Sequence, residues 1–183
     1  MKPAVAITIA ALLLVIVIAL PSAHPQIPSG REVVSPSAYV SLEPVARGSN
    51  FQLAVVLKIR PGFHINARKP SAEYLIPTDL RPTLPAGFKS AGEIAYPPGE
   101  LKTFAFSKTP LNVYADRVIL RLPLFAQPNA PLGAQHIPLK LHYQACNNEV
   151  CLPPVTLDVD AQLTVAATAA NSRPAHLELF PAH

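Results

Sequence analysis

An antiparallel β-sandwich is the fold this sequence predicts, and three observations carry the prediction. Proline is abundant, apolar residues recur with period two, and turn signals fall between the periodic runs. Proline supplies 22 of the 183 residues, more than twice the usual share of about 5%, and it interrupts nearly every stretch where a long helix would otherwise run. A helical bundle is therefore not expected. Charged residues make up 14% and hydrophobic residues 50%, so the chain can fill a core and is not expected to be disordered throughout. The length suits one domain. The formal net charge of +4 is spread out, with no run of Lys or Arg, which gives no support to a nucleic-acid partner.

At the start of the chain, Lys2 precedes an apolar or small stretch from Ala4 to Leu20, and a polar, Pro-bearing segment follows. This reads as an export signal over residues 1–23, or as an uncleaved signal anchor, since the stretch is close to the shortest membrane span. No cysteine lies near its end, so both thiols belong to the exported domain and meet an oxidising compartment. Residues 24–36 show no periodicity and read as a loose leader, and residues 166–183 read as a loose tail.

Residues 37–165 form the sandwich domain. Phe51, Leu53, Val55, Leu57 and Ile59 alternate with Gln52, Ala54, Val56 and Lys58. The same alternation runs through Val118 to Leu124, Leu139 to Tyr143 and Leu157 to Val165, so each is a half-buried strand. Turn signals separate them at Arg47-Gly48-Ser49-Asn50, Pro61-Gly62, Pro85-Ala86-Gly87, Pro97-Pro98-Gly99 and Pro128-Asn129-Ala130-Pro131. Seven to nine short strands over about 130 residues are expected from this punctuation.

The two cysteines carry the chemistry. They stand as Cys146-Asn147-Asn148-Glu149-Val150-Cys151, between two strands. A bond between them would close a six-residue ring worth only about 2 kcal/mol on the chain-entropy model, against about 4.7 kcal/mol for a 100-residue loop. Tyr143 faces inward with Leu139 and Leu141, and alternation sends Cys146 to the solvent side. A close pair at a hairpin mouth, with Pro153-Pro154 stiffening the exit, suits a dithiol that opens and closes while the core stays folded. A permanent disulfide and a metal site remain readings of the same two thiols. The metal reading would recruit His136 or His142, but at ~3.3 Å per residue an extended strand holds His142 roughly 13 Å from Cys146. His142 reads instead as a solvent-face residue and His64, after a Pro-Gly turn, as a turn or strand-face residue. Glu149 reads as a turn-surface charge, although a carboxylate there would hold back a neighbouring thiolate. Phe104 and Phe106 are two apart and so share a strand face, and Lys102 and Lys108 around them read as solvated charges. Hydrolase and nucleotide-binding signatures such as Gly-x-Ser-x-Gly, His-Glu-x-x-His and Gly-x-x-x-x-Gly-Lys do not occur.

The segment Tyr143-Gln144-Ala145-Cys146-Asn147-Asn148-Glu149-Val150-Cys151-Leu152-Pro153-Pro154 resembles the redox segment of the amino-terminal domain of DsbD, the bacterial thiol:disulfide interchange protein. Gly62-Phe63-His64-Ile65-Asn66-Ala67, Tyr74-Leu75-Ile76-Pro77-Thr78, Ala95-Tyr96-Pro97-Pro98-Gly99 and Val113-Tyr114-Ala115 are similar to that family's landmarks, in order. The resemblance covers roughly residues 35–165. It implies an immunoglobulin-like sandwich in the periplasm that takes electrons from a membrane-embedded thiol:disulfide donor and passes them to thioredoxin-like or other disulfide-bearing proteins, without a cofactor. It gives Cys146 and Cys151 the redox role, and it implies that Lys102-Thr103-Phe104-Ala105-Phe106-Ser107 is an aromatic cap loop, with Phe104 or Phe106 over the pair. Members of the family continue into a multi-span membrane domain and a thioredoxin-like domain. This chain ends at His183, so its electron source is expected to be another chain. Within the pair, Cys151 is expected to form the mixed disulfide and Cys146 to resolve it, because Cys146 ends a regular strand while Cys151 precedes two prolines that donate no ladder hydrogen bond. Two other functions remain from the residues alone: an immunoglobulin-like binding module with a structural disulfide, and a thiolate metal-delivery protein.

Overall fold

The computed structural model describes residues 28–180, so the expected export signal lies outside the described residues. A 3-10 turn at Gly30–Glu32 leads into β1 (Val34–Val40), followed by the short β2 (Leu42–Glu43) and β3 (Val45–Ala46). Next come β4 (Asn50–Ile59), β5 (His64–Asn66), β6 (Asp79–Pro82), β7 (Phe88–Ser90), β8 (Glu100–Lys102), β9 (Leu111–Tyr114) and β10 (Arg117–Ala126). The chain continues through β11 (Gly133–Tyr143), β12 (Ala145–Cys146), β13 (Val155–Ala166) and β14 (Arg173–Pro174). Several are two- or three-residue pieces, which is why more strands are found than the turn signals predicted.

The four long strands sit where the alternation put them. One sheet has the order β1-β4-β10-β7 and the other β3-β13-β11-β6. Each long ladder is antiparallel; the two-residue pairing of β3 with β13 is parallel. The inward residues of both sheets join one core: Leu53, Val55 and Leu57 from β4, Leu120, Leu122 and Leu124 from β10, Ile137, Leu139, Leu141 and Tyr143 from β11, and Val159, Ala161 and Leu163 from β13. This is the all-β, immunoglobulin-like sandwich the sequence predicted. A third, smaller sheet has the order β12-β5-β9-β8 and carries the cysteines.

Both ends of the described chain depart from the loose segments read in the sequence. The 3-10 turn is closed by a capping box, in which the Ser29 amide donates to Glu32 Oε2 at 2.7 Å. Val34 and Pro36 then pair with Ile59 and Leu57 at the sheet edge, where a proline costs no ladder bond. At the other end Leu179 is buried with Ala54 and Val56, and Tyr39, Ile119 and Phe180 pack around them. The outward residues Ala54 and Val56 of β4 are apolar and need cover, and the tail supplies it. Arg121 Nε donates to the Leu179 carbonyl at 2.7 Å, and β14 pairs with β2.

Tyr143 ties the leader to the core. Its hydroxyl donates to the Gly30 carbonyl at 2.7 Å in a buried setting, and burial pushes the phenol up to about 12. Tyr143→Phe leaves that carbonyl without its partner and should cost about 1–2 kcal/mol, read as a lower urea midpoint at unchanged m-value. A phenol whose folded pKa is raised contributes stability that is complete below the unfolded value of about 10 and is lost as pH rises toward the folded one. The wild type should therefore lose stability between about pH 10 and 12, and Tyr143→Phe should flatten part of that fall. Tyr96 and Tyr114, also raised by burial, keep the rest.

Candidate functional site: a covered disulfide on the small sheet

The small sheet begins where β5 does. Arg60-Pro61-Gly62-Phe63 makes a tight turn, with the Phe63 amide donating to the Arg60 carbonyl at 3.1 Å. Gly62 takes φ +81° there, a conformation glycine adopts without a Cβ penalty. β5 then runs alongside β9 and β12. The chain leaves β11 at Tyr143, crosses at Gln144 and pairs Ala145 with Ile65 and Cys146 with His64.

Because side chains alternate, this sheet has two unlike faces. Ile65, Tyr114 and Ala145 belong to the main core. Cys146, His64, Asn66, Val113 and Leu111 share the opposite face. A second apolar cluster covers that face, formed by Leu75 and Phe104 over Leu111 and Val113, with Ala72 at its margin. The loop that brings Leu75 is anchored by Asn66, whose Nδ2 donates to the Ile76 carbonyl at 2.9 Å and whose carbonyl accepts from Thr78 Oγ1 at 2.6 Å.

Phe104 and Phe106 do not lie on a strand, contrary to the sequence reading. They occupy the turn after β8, where the Ser107 amide donates to the Phe104 carbonyl at 3.1 Å. The turn still brings the rings together. Phe104 stacks on His64 at 4.0 Å, and Phe106 stacks on Phe104 at 5.4 Å. Phe104 is buried, whereas Phe106 is 42% exposed and forms the outer layer.

A disulfide joins Cys146 and Cys151, which face each other across a hairpin with Cα atoms 4.0 Å apart. The turn between them is compact. The Asn147 amide donates to the Val150 carbonyl at 3.0 Å, and Asn147 Oδ1 accepts from the amides of Glu149 and Val150, each at 2.8 Å. The two sulfurs differ in access: Cys146 is 1% exposed and Cys151 is half-buried. Cys146 is thus not on the solvent side as alternation along β11 predicted. The chain changes sheets at Gln144, and the face it joins is covered. Nor is Cys151 untied, because the Leu152 amide donates to the Ala145 carbonyl at 2.8 Å despite the prolines that follow.

The sequence reading places His64 at a turn or strand face, and the pairing of β5 with β12 sets it directly opposite Cys146. His64 is 4% exposed, and desolvation, aided by the positive charge of Lys102, pushes the imidazole down to about 4. The ring is neutral at neutral pH. Among the described residues its Nε2 has no hydrogen-bond partner, and neither has Asn66 Oδ1; a buried polar atom left so costs about 1–3 kcal/mol. Lys102 pairs with Glu100 at 3.1 Å. Glu149 is exposed at the turn.

His142 and His136 are engaged elsewhere. His142 Nδ1 lies 3.0 Å from Thr156 Oγ1 and His136 Nδ1 lies 2.7 Å from Asp160 Oδ2, both across the β11–β13 ladder. Among the described residues, no three His, Cys, Asp or Glu side chains converge to hold a metal ion, and no helix is long and apolar enough to cross a membrane.

Comparison with known proteins agrees with the resemblance seen in the sequence. A crystal structure of the N-terminal periplasmic domain of ScsB from Proteus mirabilis is similar with a TM-score of 0.45 and 14% identity, over 70% of this chain and 46% of that one. The chain thus corresponds to less than half of that structure's length. No curated protein matches it. The model for the N-terminal domain of the thiol:disulfide interchange protein DsbD matches residues 31–163, most of the sequence, and the chain belongs to that family.

Proposed function

We propose that this domain is an exported thiol:disulfide exchange protein that relays electrons from a membrane-embedded thiol:disulfide donor to disulfide-bearing, thioredoxin-like proteins of the periplasm. One observation carries the reading: the disulfide closes a short hairpin on the outer face of the small sheet, outside the main core. Opening it disturbs little. Export is supported by Lys2 and the apolar stretch from Ala4 to Leu20, and the periplasm by the family match.

The chemistry needs no cofactor. In the reduced domain the Cys151 thiolate attacks a partner disulfide, one partner sulfur leaves as a thiolate, and a mixed disulfide forms. The Cys146 sulfur then attacks Cys151 Sγ, the bond to the partner breaks, and the second partner sulfur leaves. Two electrons have passed to the partner. A membrane donor recharges the pair by the same steps in reverse. The unequal burial of the two sulfurs supports this order, since an incoming disulfide reaches the half-buried Cys151 before the enclosed Cys146. In this reading Phe104 and Phe106 form the cap. Phe104 closes the layer over the cysteine face, and Phe106 presents an exposed ring to a docking partner.

The two single variants should behave oppositely in exporting cells. Cys146→Ser, which keeps the more exposed sulfur, should accumulate a long-lived mixed disulfide with a periplasmic protein, visible as a thiol-sensitive band on a non-reducing gel. Cys151→Ser should accumulate far less; the reverse pattern would exchange the two roles.

Removing both sulfurs separates function from folding. A six-residue ring contributes about 2 kcal/mol, so the Cys146→Ser, Cys151→Ser double variant should remain folded, with a denaturation midpoint lowered by about that amount. Failure of the double variant to fold would instead make the bond a structural one.

A further inference from the structure

We propose that His64 Nε2 is the proton acceptor for the Cys146 thiol, converting the enclosed cysteine into a thiolate when the disulfide is open. This rests on the exchange reading above and assigns a residue beyond the cysteines and the aromatic cap.

The geometry comes from the β12–β5 ladder. His64 and Cys146 are directly opposed, so their side chains leave the same face with Cβ atoms about 4.5–5.5 Å apart. That spacing suits a hydrogen bond between sulfur and a ring nitrogen. Phe104 stacks on the imidazole at 4.0 Å and fixes its plane. Nε2 is buried and unpaired while the sulfur is locked in the disulfide. A disulfide sulfur has no proton to donate, whereas a thiol has one, so reduction creates the donor this nitrogen lacks.

Cys146 also needs such an acceptor. At 1% exposure its thiol has little water to take the proton, and burial disfavours the thiolate that must attack. The ionisable groups nearby offer no substitute. β12 carries none, and Tyr114 of β9 faces the main core. Lys102 of β8 is held by Glu100. In the covering loop Arg68 is paired with Asp79 at 3.0 Å, Lys69, Glu73 and Tyr74 are exposed, and Glu149 of the cysteine turn is exposed as well. The imidazole is kept neutral by its burial, and in its Nδ1–H tautomer Nε2 carries the lone pair that the step needs.

In the resolving step the Cys146 S–H proton passes to His64 Nε2 as the sulfur bonds to Cys151 Sγ. The bond from Cys151 to the partner breaks, its electron pair leaves on the partner sulfur, and that thiolate takes up a proton, returning the imidazole to its neutral form. The dithiol is oxidised by two electrons and the partner disulfide is reduced by two.

The test uses the full chain carrying Cys151→Ser, so that Cys146 is the sole thiol, with and without His64→Phe, which keeps a ring beneath Phe104. Thiolate absorbance near 240 nm is followed against pH. The parent should hold about tenfold more thiolate at pH 7 than the His64→Phe form; coincident curves would overturn the assignment. Independently of that variant, the His64 ring nitrogens of the wild-type chain should shift on reduction and titrate together with Cys146 by nitrogen-15 NMR. Identical ring signals in the oxidised and reduced protein would also overturn it. Exchange with a thioredoxin-like disulfide is measured separately on the wild type. Exchange with coincident thiolate curves would remove His64 and leave the function standing, whereas separated curves without exchange would remove the function and leave the pairing.

Discussion

The two-residue ladder between β12 and β5 is the interaction on which the site depends. Tyr143 is anchored in the main core, and within three residues the chain has crossed at Gln144 and joined a different sheet. That crossing sets the face to which Cys146 belongs and the residue it meets. Had β11 continued straight, alternation would have left the sulfur in solvent, away from His64 and the aromatic turn. Ile65 and Ala145 hold the ladder from below, buried in the main core, while Phe104 and Leu75 close it from above.

This arrangement separates the core that holds the fold from the layer that carries the disulfide. The core between the two large sheets is continuous and contains neither cysteine. The disulfide lies in a thin layer beyond it, under one loop anchored by Asn66 and Thr78 and one turn led by Phe104. Such layers open locally at a fraction of the free energy that global unfolding requires. Among the described residues, the two buried side-chain nitrogen or oxygen atoms without a hydrogen-bond partner, His64 Nε2 and Asn66 Oδ1, sit on this face. Polar groups that a purely structural layer would pair or replace are therefore concentrated beside the disulfide.

Much of the fold was legible because its long strands are half-buried and alternate cleanly, as in Val118 to Ala126 and Leu157 to Val165. The cysteine pair was legible by its spacing and its neighbours. Two kinds of information were not. The first is non-local: His64 and Cys146 are far apart in sequence, and no local pattern says that β5 and β12 will pair. The second is where regularity stops. Alternation carried through Gln144 put Cys146 in water, and the two-residue spacing of Phe104 and Phe106 put them on a strand, whereas the chain changes sheets at the first place and turns at the second. The tail misled for a related reason. It has no strand period, yet Leu179 and Phe180 are the apolar residues that the outer side of β4 needs.

The central claim is that the Cys146–Cys151 bond exchanges while the sandwich persists. It is tested most directly by equilibrating the domain across a graded series of thiol redox buffers and following the fraction of free thiol together with the amide NMR spectrum. Structural disulfides of secreted proteins typically resist reduction down to about −300 mV. The account predicts a single two-electron transition at a less negative potential, with dispersed core amide signals on both sides of it and changes confined to β5, β12 and the covering segments. A bond that stays closed below that potential, or a spectrum that collapses as the bond opens, would contradict it.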